Sequence, residues 1–147
     1  MSKKVMLIDD DQEFLAILTE RLEIRGFEVA PFASAKKALE RLPQSTFDVI
    51  ILDLQMPEMD GLQTLERLSE MAADLPILLL TAHATVAKGV RAMKLGSADV
   101  LEKPVDIREL VKAIETVATR PVDKPTSGKR IHQFFKKILK CLQYFAI

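Results

Sequence analysis

Three short runs of consecutive apolar residues punctuate the chain: Val5-Met6-Leu7-Ile8, Val49-Ile50-Ile51-Leu52 and Ile77-Leu78-Leu79-Leu80. Apolar side chains at successive positions, not alternate ones, predict strands buried on both faces, as in a parallel sheet covered by helices. A weaker and shorter strand is predicted around Val29, near an edge. A fifth short segment is closed by Lys103. Between these runs the apolar residues take a helical period. Residues 12–25 place Phe14, Leu15, Ile17, Leu18 and Leu22 on one face. Ser34 is a good N-cap for a helix through Leu42, with Ala35, Ala38, Leu39 and Leu42 inward. Leu62, Leu65, Leu68 and Met71 mark a third helix. Val86, Val90 and Met93 mark a fourth, ended by Gly96. Ile107, Leu110, Val111, Ile114 and Val117 mark a fifth, starting near Asp106.

Five βα repeats predict a doubly wound α/β domain with a five-stranded parallel sheet flanked by five helices. Such folds bind ligands outside the carboxyl ends of their strands, where strand order reverses. The residues at those ends are Asp9 and Asp10, Asp53, Thr81 and Lys103. The topology thus brings together three carboxylates, a hydroxyl and an ammonium. Clustered carboxylates repel unless a cation intervenes. Magnesium suits this set, because it prefers hard oxygen ligands and typically takes one or two carboxylates plus phosphate oxygens. A carboxylate can attack phosphorus to form an acyl phosphate. Lys103 and the metal would offset charge on the transferring oxygens, and Thr81 would donate a hydrogen bond to one of them.

In this order the motifs Leu7-Ile8-Asp9-Asp10-Asp11, Asp53-Leu54-Gln55-Met56-Pro57-Glu58-Met59-Asp60-Gly61, Thr81-Ala82 and Lys103-Pro104 resemble those of receiver domains of bacterial two-component response regulators. The resemblance covers residues 4 to about 118. It implies a flavodoxin-like sheet of order 2-1-3-4-5. It implies that Asp53 is the phosphoacceptor, taking a phosphoryl group from a phosphohistidine on a sensor histidine kinase or phosphotransfer protein. Asp10 would hold magnesium directly, and Asp9 directly or through water. Asp53 would join them, and Gln55 would give a backbone carbonyl. Thr81 and the backbone N–H of Ala82 would contact the phosphoryl group, and Lys103 would pair with it. Pro104 is expected to follow a cis peptide bond, which is tolerable before proline. Met56-Pro57 and Asp60-Gly61 would shape the loop after the phosphoacceptor, with Gly61 opening the next helix. The domain would be a signalling switch, not an enzyme, promoting only its own phosphotransfer and dephosphorylation.

One position departs from the pattern. Three residues before the lysine many receivers carry Tyr, Phe or His; here it is Val100. Valine is short and stiff about χ1, so ring-coupled switching is not expected, and the response should concentrate in residues 81–90. This leaves the reading of a receiver with a weakened aromatic switch, acting mainly as an adaptor. Two other classes compete. An aspartyl-phosphate phosphohydrolase of the haloacid-dehalogenase-like type would need a second acid two residues past the nucleophile, where Gln55 stands. A flavodoxin-like cofactor binder would need a Ser/Thr/Gly-rich loop after the first strand, where Asp9-Asp10-Asp11 stands. Asp11 is expected to serve the helix start instead of the metal. His83 reads as a loop histidine near the site, with a catalytic role the sharper alternative, and Met56, Met59, Met71 and Met93 as packing or loop residues.

Composition adds a division of the chain. The formal net charge is zero, but residues 1–117 carry 14 Lys+Arg against 20 Asp+Glu, and residues 118–147 carry 7 against 1. The body is acidic and the end basic. The expected parts are a receiver at 1–118, a linker at 119–128 with Pro121, Pro125 and Gly128, and a basic amphipathic helix at 129–147. That helix carries Ile131, Phe134, Phe135, Ile138, Leu139, Leu142 and Phe145 at helical spacing. Its lysines oppose membrane insertion, and its length is too small for a helix-turn-helix domain, so no direct nucleic-acid binding is expected. Three readings stay open. The segment docks on a partner, a second copy or the acidic body; it lies on an anionic membrane surface; or it is disordered or a remnant of a larger output region. Output or self-association would use helices near 83–118 or this tail. One cysteine, Cys141, cannot form an internal disulfide, and Lys3-Lys4 precede only four apolar residues, unlike a secretory leader. The expected location is cytoplasmic.

Overall fold

The computed structural model describes residues 2–53, 61–72, 74–82 and 97–119. The expectations for Gln55, Met56, Pro57, Met59, Asp60 and His83, for the helix of Val86, Val90 and Met93, for the 81–90 response beyond Ala82, and for the linker and basic tail fall outside these residues.

Five strands, β1 (Lys4–Ile8), β2 (Glu28–Phe32), β3 (Val49–Asp53), β4 (Ile77–Thr81) and β5 (Asp99–Glu102), form one sheet. The order is β2-β1-β3-β4-β5 and every pairing is parallel. Four α-helices are described: α1 (Gln12–Ile24), α2 (Ala35–Arg41), α3 (Gly61–Met71) and α4 (Ile107–Thr119), with a short 3-10 turn at Leu42–Gln44 after α2. The order reverses between β1 and β3, so the switch point lies at the carboxyl ends of those two strands.

Successive strand residues point to opposite faces, and each face has its own core. Val5, Leu7, Val49, Ile51, Leu78 and Leu80 pack with Leu15, Leu18 and Leu22 of α1 and Leu110, Ile114 and Val117 of α4. Met6, Ile8, Ile50, Leu52, Ile77 and Leu79 pack with Ala35 and Ala38 of α2 and Leu65 and Leu68 of α3. This two-sided burial explains why the central strands are apolar at every position. Ile51 is wholly buried at the centre of the sheet. Ile51→Ala is expected to cost about 2–5 kcal/mol, read as a lower urea midpoint with an unchanged slope.

Three details correct the periodicity. Ile17 on α1 is 45% exposed instead of sharing the face of Leu15, Leu18 and Leu22. Met71 is 50% exposed. Spacing by three lags a 3.6-residue turn, so after Leu65 and Leu68 the inward position passes to Ala72, which packs on the second core. The β2 strand is an edge strand as expected, but it is no shorter than β1: both have five residues. It also accommodates Pro31, which lacks an N–H and is tolerated where the strand has a free side.

The helix ends follow local chemistry. Asp11 caps α1, its Oδ1 accepting the N–H of Phe14 at 3.1 Å. Ser34 caps α2, accepting from the N–H of Lys37 at 3.5 Å. Past α1 the chain reverses at Gly26, whose φ of 90° suits glycine. Asp106 opens α4, with its Oδ1 accepting the N–H of Arg108 at 2.8 Å.

Candidate functional site

The register places the two key carboxylates side by side. Ile8 pairs with Leu52, so Asp9 and Asp53 are the next residues on adjacent strands at the switch point. Asp9, Asp10 and Asp53 each present a carboxylate oxygen, and these oxygens all lie within 4.8 Å of one another. Asp9 and Asp53 are buried, at 1% and 5% exposure, whereas Asp10 is exposed.

Lys103 completes the group. Its Nζ donates to Asp9 Oδ2 at 2.8 Å and stands 3.6 Å from Asp53 Oδ2. The backbone holds its segment in place: the N–H of Lys103 donates to the Thr81 carbonyl at 2.8 Å, and the Lys103-Pro104 peptide bond is cis. Three carboxylates and one ammonium leave a formal charge of −2, which a divalent cation would cancel. An all-oxygen donor set with that charge fits magnesium.

Both oxygens of Asp9 already accept a hydrogen bond. Its Oδ1 accepts the N–H of Asp11 at 2.9 Å, while Oδ2 is engaged by Lys103. Asp10, exposed at the mouth of the cluster, has the more accessible oxygens. Asp11 turns to the helix start, as expected from its position.

The alternation of the strands divides the site between the two faces. Asp53 continues the parity of Val49 and Ile51, on the side of α1 and α4. Thr81 continues the parity of Ile77 and Leu79, on the side of α2 and α3. It is 1% exposed, and Ala82 follows it at the surface. Val100 packs against that second core. Gly61 is the first residue of α3.

One neighbour of the site shows in the sequence only as a core residue. The ring of Phe14 lies 4.2 Å, centroid to Nζ, from the Lys103 ammonium. No local pattern marks this contact, since it joins the first turn of α1 to the far end of β5. The sequence clue is only that Phe14 follows the acidic run by one helical turn.

The chain belongs to the response regulator receiver family: the family model for the response regulator receiver domain matches residues 5–115. It is 33% identical over 132 residues to the transcriptional regulatory protein ZraR of Escherichia coli K12, a match covering 88% of this chain and 30% of that protein. It is 35% identical over 129 residues to the transcriptional regulatory protein FixJ of Bradyrhizobium diazoefficiens, covering 88% of this chain and 62% of that one. The chain thus spans less than two thirds of the length of these relatives. Among solved structures, a CheY-like receiver domain from Methanospirillum hungatei superposes with a TM-score of 0.77 at 25% identity, over 80% of this chain and 94% of that one. A response regulator from Burkholderia pseudomallei, solved with a phosphorylated aspartic acid, calcium ion and citrate, gives 0.74 at 31% identity, over 80% of this chain and 69% of that one. Membership in this family decides against the phosphohydrolase and the flavodoxin-like cofactor binder. Among the described residues no helix is long and apolar enough to cross a membrane.

Proposed function

We propose that Asp53 is the phosphoacceptor of this receiver domain. The observation that carries the reading is the convergence of Asp9, Asp10 and Asp53 at the switch point, with Lys103 against two of them. An oxygen of Asp53 attacks the phosphorus of a phosphohistidine on a kinase or phosphotransfer protein. The P–N bond breaks, the imidazole leaves with its electron pair and takes up a proton, and an acyl phosphate remains. Water attacking the same phosphorus releases inorganic phosphate and restores the carboxylate. Both steps need negative charge on the phosphoryl oxygens to be offset. The Lys103 ammonium supplies part of that from inside the site. Thr81 contributes its hydroxyl and Ala82 its backbone N–H.

Magnesium, when bound, supplies the remaining charge neutralisation. The free oxygens of Asp10 favour it as the direct ligand. The engagement of both Asp9 oxygens favours contact through water for that residue. Asp53 and the backbone carbonyl of Gln55 would complete the protein's share. Magnesium is expected to raise the melting temperature, by the equivalent of about 2.7 kcal/mol at 100 times its Kd. Asp10→Asn should remove most of that gain. A magnesium-dependent shift of the same size in Asp10→Asn would overturn this assignment.

The family context supports a cytoplasmic location and a partner that reads the phosphorylated state, either an output protein or a second copy. Valine at position 100 supports a readout without a swinging ring, through residues 81–90 beside Thr81, or through the basic segment at 129–147.

A further inference from the structure

The Lys103 ammonium has a third neighbour that the reaction does not account for. Its Nζ lies 2.8 Å from Asp9 Oδ2, 3.6 Å from Asp53 Oδ2 and 4.2 Å from the centroid of the Phe14 ring. The side chain is 19% exposed, so these groups and the sheet enclose most of it. We propose that Phe14 is a positioning residue for phosphoryl transfer: its ring face seats the Lys103 ammonium and holds it within reach of Asp53. This inference rests on the reading of Asp53 as phosphoacceptor.

The physical argument begins with lysine itself. Its ammonium is a compact charge on a flexible four-carbon stem, and without a seat it has many rotamers that leave the cluster. Asp9 alone would hold it by a short charge-assisted hydrogen bond at 2.8 Å, with Asp53 at the longer distance of 3.6 Å. Transfer requires the ammonium to turn toward oxygens on Asp53. An aromatic face attracts a cation through its quadrupole over a broad area. The ammonium can therefore shift from one carboxylate toward the other while keeping that contact.

The ring itself is fixed. Its backbone N–H is held by the Asp11 cap at 3.1 Å, and its side chain packs against the core on the α1 side. Asp53 shares that face by strand parity, so ring, ammonium and acceptor lie on one side of the sheet. At the amino-terminal end of β1 there is a looser pair, with Lys4 Nζ 5.3 Å from the Phe47 ring and 3.9 Å from Glu28 Oε1. Such a pair can serve packing alone, so the test must separate a kinetic from a structural role.

The test measures phosphorylation of the full chain by acetyl phosphate with magnesium, across donor concentrations, for wild type, Phe14→Leu, Phe14→Tyr, Lys103→Met and the Phe14→Leu/Lys103→Met pair. Phe14→Leu is expected to lower the limiting rate by roughly two- to fivefold, with the half-saturating donor concentration unchanged. Phe14→Tyr, which keeps a ring face, should retain the wild-type rate. In the Lys103→Met background the leucine change should have no further effect, because the two residues act as one unit. The same slowing in both backgrounds, an unaltered rate in Phe14→Leu, or a tyrosine variant as slow as leucine would each overturn the inference. Should Phe14→Leu fail to fold, Phe14→Met, which keeps apolar bulk without a ring, takes its place under the same criteria. A wild-type chain that takes up no phosphoryl group would instead overturn the reading of Asp53, and this inference with it.

Discussion

Asp53→Asn is expected to abolish phosphoryl uptake from acetyl phosphate while leaving the fold intact. The amide has the shape of the carboxylate but lacks its anionic oxygen. Loss of a nucleophile of this kind lowers a rate by roughly 10³-fold or more. The structural consequence runs the other way. Asp53 is buried beside Asp9 and Asp10, with ligand oxygens within 4.8 Å. Removing one of three clustered negative charges relieves their repulsion. Without metal, the melting temperature of Asp53→Asn should therefore equal or exceed that of wild type. Circular dichroism melts beside a phosphorylation assay check both parts. A variant that still takes up a phosphoryl group would contradict the assignment.

Lys103→Met should have the second-largest effect, on chemistry and stability together. Methionine keeps much of the stem and loses the charge. Removing one electrostatic donor from a site of developing charge costs roughly 10²–10³ in rate. Asp9, at 1% exposure, also loses its 2.8 Å partner. Breaking a buried ion pair from one side typically costs about 3–5 kcal/mol, because the remaining charge is left uncompensated. Urea unfolding without metal should show that loss, and added magnesium should recover part of it by supplying another cation. Equal metal-free stability of Lys103→Met and wild type would show that the ammonium does not compensate the cluster.

Much of this site was legible before any fold was known. Residues at the ends of apolar runs must lie at the rim of a parallel sheet, and Asp9, Asp53, Thr81 and Lys103 all do. Asp11 announced a cap because a short acid before an amphipathic run has a backbone N–H to accept. What stayed hidden depended on angle and on distant contact. Ile17 and Met71 looked inward by spacing, but a helix advances 100° per residue, and small phase errors turn a side chain to solvent. The strand at Val29 looked weak because its residues are half-exposed at an edge, yet parallel pairing with β1 holds all five positions. Phe14 carried no local sign of its ring lying over Lys103, since strand order and helix docking create that contact. The division of the site between two faces, with Asp53 on one and Thr81 on the other, likewise required the register of the sheet. The resemblance to receivers supplied roles that spacing alone could not, such as the backbone N–H of Ala82.

The most direct test of the central claim is to map the modified residue itself. The chain would be incubated with acetyl phosphate and magnesium, the acyl phosphate trapped by borohydride reduction, and the peptides sequenced by mass spectrometry. Reduction is expected at Asp53 alone, dependent on magnesium. Modification at Asp9 or Asp10, or none at Asp53 under conditions where a known receiver is labelled, would contradict it.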